Sequence, residues 1–88
     1  MTTLGKRSRI TDALAELQGM ILDRFPTATF EVVKGYDPPG TYLEVHVPTD
    51  DFDQTFEDIF DAVGDRLLDF QDVQRLRIYV MPIRPRAA

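Results

Sequence analysis

The residue best suited to chemistry is His46, the chain's single histidine. It follows Tyr42 and Glu44 at intervals of two, the spacing that sets side chains on one face of a strand. A Glu–His pair so placed can ligate a metal or move a proton. Such chemistry asks for a second ligand or a nucleophile held by a base. The sequence supplies no Ser-His-Asp order, no His-x-x-x-His spacing and no glycine-rich phosphate loop. It also has no cysteine, which excludes disulfides, thiolate catalysis and Cys-based zinc or iron–sulfur sites. A non-enzymatic protein without catalytic residues, metal or cofactor is therefore expected. The alternative is a small-ligand site or enzyme using His46 and Glu44, with Arg77 as an anion contact.

A second group of residues could serve recognition. Asp53, Glu57, Asp61 and Asp65 recur every four residues, with Asp58 and Asp69 beside them. Like charges at this spacing cost a helix about 0.2 to 0.5 kcal/mol each. Such a ladder is either a solvated face that aids solubility or a docking surface for a basic partner. The docking surface would comprise Asp53, Glu57, Asp58, Asp61 and Asp65. Calcium is disfavoured, because Asp50-Asp51-Phe52-Asp53 lacks the EF-hand spacing, its central glycine and its closing glutamate.

Net charge is −5 over 88 residues, which weighs against a dedicated nucleic-acid binder. Basic residues nevertheless gather at the two ends, as Lys6, Arg7 and Arg9 and as Arg75, Arg77, Arg84 and Arg86. Nucleic-acid binding through these clusters is the third and least favoured reading. No apolar run reaches the roughly 18 residues needed to cross a bilayer, and Asp12 and Glu16 interrupt any signal-like leader. A cytoplasmic protein with no membrane contact is expected.

The elements that position these groups follow from periodicity. Ile10, Leu14, Leu17, Ile21 and Phe25 predict a first helix from about Ser8 or Thr11, stopped by Pro26. Residues 28–33 and 42–47 alternate as strands around a Gly35–Gly40 turn. Pairing Lys34 with Thr41 sets Phe30 opposite Val45 and Val32 opposite Leu43, and it also sets Glu31 opposite Glu44. From Asp50 to Asp72 an acidic helix carries the stripe Phe52, Phe56, Ile59, Phe60, Val63, Leu67 and Phe70. A last strand from about Arg75 to Ile83 alternates Leu76, Ile78 and Val80 inward with Arg75, Arg77, Tyr79 and Met81 outward. Pro82 and Pro85 cannot donate to a ladder, so this strand is expected to fray or lie at an edge near its end.

The order αββαβ predicts an α+β fold, a two-layer sandwich of a three-stranded sheet with two helices on one face. A single domain over residues 9–82 is expected between flexible tails at 1–8 and 83–88. The other sheet face is left uncovered. Tyr, Met and Arg are favoured at interfaces, and isologous dimers are the commonest assembly. Tyr42, His46, Arg75, Arg77, Tyr79 and Met81 are accordingly the expected contacts of a homodimer, with the two arginines relieving the Glu31–Glu44 repulsion.

Residues 23–32 (DRFPTATFEV), 65–68 (DRLL) and 78–82 (IYVMP) resemble those of short bacterial proteins of unassigned function. The element order is similar to that of the type II KH domain of RNA-binding proteins. That domain uses a Gly-x-x-Gly loop between two helices. This chain has only Gly64 in that region, so the likeness implies a fold and not RNA binding.

Overall fold

A computed structural model describes residues 6–85, with side chains from Arg9 onward. The elements are α1 (Lys6–Arg24), β1 (Thr29–Tyr36), β2 (Pro39–His46), α2 (Phe52–Leu68) and β3 (Ile78–Ile83). A π-helical turn over Asp69–Val73 prolongs α2. Of the expected tails, residues 1–5 and 86–88 lie outside the described residues. Lys6 to Ser8 already belong to α1, because Lys and Arg are good helix formers and carry the helix past the expected cap.

The hairpin adopts the expected register, with Lys34 on Thr41, Val32 on Leu43, Glu31 on Glu44 and Phe30 on Val45. It runs further than the composition implied. Gly35 pairs with Gly40 and Tyr36 with Pro39, leaving only Asp37-Pro38, joined by a cis peptide bond, to turn the chain. β3 then lies parallel to β2 in the sheet order β1-β2-β3, so β1 and β3 are both edges. Pro82, which cannot donate to a ladder, is thus on an edge strand.

Both helices cover one face of this mixed sheet. Leu17 and Ile21 of α1 and Ile59 and Val63 of α2 close over Leu43, Val45 and Ile78, all almost fully buried. Leu76 and Val80 join them, as the alternation required. Two inward positions depart from expectation. Val32 keeps 49% of its surface, because β1 is an edge that the helices do not fully roof. Phe56 keeps 43%, because Thr55, Ile59, Val63 and Leu67 form the buried line of α2. The apolar stripe is wider than the core needs, and Phe56 overhangs it.

Asp51 caps α2 by accepting from the Gln54 amide at 3.2 Å. The helices are tied by Arg66, whose Nε and Nη2 both donate to the Glu16 carboxylate, the latter at 3.1 Å. Its Nη1 donates to Asp69 at 2.7 Å, and its guanidinium lies 4.4 Å above the Phe70 ring. The hydrogen bond from Arg66 holds the Glu16 carboxyl below its ordinary value of 4.5, against an opposing effect of burial. A carboxyl depressed in the folded state contributes stability above its unfolded pKa and loses it as pH falls through the folded one. Glu16→Gln should therefore lower the melting temperature slightly at pH 7, by no more than an exposed ion pair is worth. In acid, where Glu16 is itself protonated, wild type and variant should melt together. A difference that stays constant across a pH series of melts would assign the loss to packing instead.

Candidate functional site

The uncovered sheet face is built in rungs, because alternate residues of β1, β2 and β3 share a side. Thr29, His46 and Ile83 form one end, followed by Glu31, Glu44 and Met81, then by Val33, Tyr42 and Tyr79. Gly35 and Gly40 form the far end, where the Arg77 carbonyl accepts from the Thr41 amide at 2.8 Å. The face thus grades from carboxylates at one end to arginine at the other.

The acidic end carries the residues with most capacity for chemistry. Glu31, Glu44 and His46 offer ligand atoms that all lie within 4.8 Å of one another. His46 Nε2 is 3.8 Å from Glu44 Oε1, both side chains part-exposed. Two carboxylates opposed across a strand pair repel. The expected relief by Arg75 and Arg77 does not occur. Glu44 neighbours Met81 on β3, whereas Arg77 precedes Met81 by four residues, roughly 13 Å along a strand. His46 is instead the group beside the acids. The three donors could grip a cation, with His46 neutral. The cleft next to His46, lined by Thr27, Thr29, Val47, Pro48 and Ile83, holds about 180 Å³. That is smaller than the several hundred Å³ usual for a small-molecule site.

The aromatic end is structural as well as exposed. Tyr42 was expected as a free contact, yet it is only 8% exposed. Its hydroxyl donates to the Pro38 carbonyl at 2.7 Å, and its ring lies 5.0 Å from that of Tyr79. A Cβ at Gly35 would fall 2.1 to 2.8 Å from the Tyr42 ring, so the absence of a side chain there makes the seat for it. Burial, with smaller effects of Tyr79 and Asp37, raises the Tyr42 phenol above its ordinary value. Tyr79 is half-buried, and Met81 keeps 39% of its surface.

Arg75 is displaced from the strand expected to hold it. It takes φ 59°, a left-handed conformation, in the turn before Ile78. Arg75 and Arg77 line an open cleft of about 500 Å³ with Gln71, Leu76 and Tyr79. Both are exposed, and neither makes an ion pair among the described residues. The structure therefore joins His46 to Glu44 and Glu31, and separates Arg77 from them. Glu31, Val33 and the two glycines are site residues that the expected contacts omitted. Their signal was the register itself, which put them on the same rungs.

The acid ladder of α2 also divides. Asp58 is 3.6 Å from Arg24 and accepts from Gln54 at 3.1 Å. Asp69 is held by Arg66 and Gln74. Asp53 is 3.8 Å from Arg84. Glu57, Asp61 and Asp65 are exposed and without an ion pair among the described residues. The basic clusters proposed for nucleic acid are described only in part, since the Lys6 and Arg7 side chains and Arg86 lie outside the described residues. No helix among the described residues is long and apolar enough to cross a membrane. No family model, curated protein or solved structure matches the chain.

Proposed function

We propose that the protein is a non-enzymatic interaction module that self-associates, two copies stacking their open sheet faces with strands antiparallel. The observation that carries this reading is the charge gradient of that face. Glu31 and Glu44 stand at one end with only His46 beside them among the described residues, and Arg77 stands without an ion pair among those residues at the other. A two-fold axis across the strands, through the rung of Val33, Tyr42 and Tyr79, sets each Arg77 over the partner rung that carries Met81 and Glu44, with Glu44 one strand away as the nearer acid. Val33 and Tyr79 meet their counterparts at the axis, and Met81 lies beneath the Arg77 of the other copy.

Three strands of six to eight residues make a patch roughly 14 Å wide and 20 to 25 Å long. That is small for a protein interface, so micromolar association is expected and the charges matter more than area. Sedimentation velocity over a concentration series tests it. A rise from monomer to dimer through the micromolar range is expected, and a monomer at several hundred micromolar would overturn the reading.

A further inference from the structure

The outer shoulder of α2, away from the sheet face, repeats one small motif each turn. Phe52-Asp53, Phe56-Glu57 and Phe60-Asp61 place a ring and a carboxylate side by side, four residues apart. The rings form a ladder, with centroids 6.0 Å apart from Phe52 to Phe56 and 5.0 Å from Phe56 to Phe60. Asp58 and Arg66 reach α1, so the shoulder bearing the ladder is the one α1 leaves uncovered.

The first unit is occupied from within the chain. Arg84 holds its guanidinium 4.6 Å above the Phe52 ring and 3.8 Å from the Asp53 carboxylate. This is the planar, weakly hydrated cation's preferred setting, a ring face beneath and an acid beside. The next unit offers the same pair of groups with no cation on it among the described residues. Phe56 is the exposed member of the ladder, and Glu57 is exposed and unpaired among the described residues. Phe52, Asp53, Phe56, Glu57 and Arg84 together line an open groove of about 580 Å³.

We infer that this shoulder docks an arginine-bearing segment of another protein, whose guanidinium groups stack on Phe56 and Phe60 while pairing with Glu57 and Asp61. An extended partner chain sets alternate side chains about 6.6 Å apart, close to the 6.0 Å step from Phe52 to Phe56 and wider than the 5.0 Å step from Phe56 to Phe60, a gap that long arginine side chains can bridge. Arginine is selected over lysine, because a stacked ring rewards the flat cation while a carboxylate alone accepts either. The surface is separate from the sheet face, and neither proposal depends on the other.

The test is a titration followed by NMR, at low ionic strength, with a synthetic peptide of alternating arginine and alanine and with its lysine counterpart. The arginine peptide should bind at least threefold more tightly and shift the Phe56 and Phe60 ring resonances. Phe56→Leu and Glu57→Gln should each weaken it about three- to tenfold. Phe56 keeps 43% of its surface, so the leucine variant should stay folded and lose only the ring contacts to Phe52 and Phe60, a small drop in melting temperature. Equal binding of the two peptides, or no effect of Phe56→Leu, would overturn the inference. So would weaker self-association in Phe56→Leu, which would make the occupant a second copy. A gain in peptide affinity on replacing Arg86 with Ala would equally overturn it, by making the chain's own end the occupant.

Discussion

Arg77→Glu is expected to weaken self-association by tenfold or more, without lowering the melting temperature. Arg77 is exposed and makes no ion pair among the described residues, so its loss takes nothing from the folded monomer. In the stacked dimer the two-fold axis uses the contact twice, and the substitution turns two attractions into two repulsions. One exposed ion pair is worth about 0.2 to 1 kcal/mol, but opposed like charges cost more than a lost pair. Two such contacts reach the 1.4 kcal/mol that a factor of ten requires. The companion variant Glu44→Arg, whose acid stands next to Met81 on the facing rung, should weaken the dimer similarly. The double variant should recover most of the loss, because each swapped arginine again faces a swapped glutamate. Sedimentation of the three proteins reads the result directly. An unchanged dissociation constant for Arg77→Glu, or no recovery in the double variant, would remove the antiparallel stacking.

Much of this architecture was legible because it rests on period and parity. The alternation of Phe30, Val32, Leu43 and Val45 allowed one hairpin register that kept apolar partners together, and that register is observed. Leu76, Ile78 and Val80 read as inward by the same logic and are buried. What the pattern cannot show is how far each layer extends over the next. Val32 and Phe56 are apolar at inward-reading positions, yet they overhang the two helices and the edge strand that fail to reach them. Tyr42 erred the other way. It stands on the open face by parity, but a ring long enough to lie along the sheet found the bare backbone of Gly35 and a second tyrosine beside it. Arg75 and Arg77 were expected to meet Glu31 and Glu44. That expectation needed the offset between β2 and β3, which alternation within either strand leaves undetermined. The parallel pairing puts Thr41, not Glu44, beside Ile78.

Gly40→Ala should be the more damaging change to the fold, and it tests the end of the sheet that positions Arg77. A Cβ at Gly40 would fall 2.7 Å from the Arg77 carbonyl oxygen and 2.7 Å from the Tyr79 ring, with the Arg77 Cβ at 3.2 Å. Gly40 does not have a positive φ, so alanine can hold its backbone conformation and the cost is one of space alone. A flexible side chain can swing aside, but the carbonyl is anchored by the Thr41 amide at 2.8 Å and leads the chain into β3. Overpacking of this kind costs about 1 to 3 kcal/mol. For a domain of this size that lowers the melting temperature by roughly 5 to 15 °C. Gly64→Ala provides a contrast of opposite sign. Nothing lies within 4 Å of its missing Cβ, and an interior helical glycine gives about 1 kcal/mol when replaced by alanine. Thermal melts of the two variants should therefore diverge about the wild type. Hydrogen exchange should localise the difference, with the Thr41 amide losing protection in Gly40→Ala and keeping it in Gly64→Ala. Because the same carbonyl fixes where Arg77 leaves the sheet, Gly40→Ala should also weaken self-association, and Gly64→Ala should leave it unchanged. A Gly40→Ala protein that melts like wild type and keeps the Thr41 amide protected would mean that β3 can move away from β2 at no cost. The position assigned to Arg77 would then lose its support.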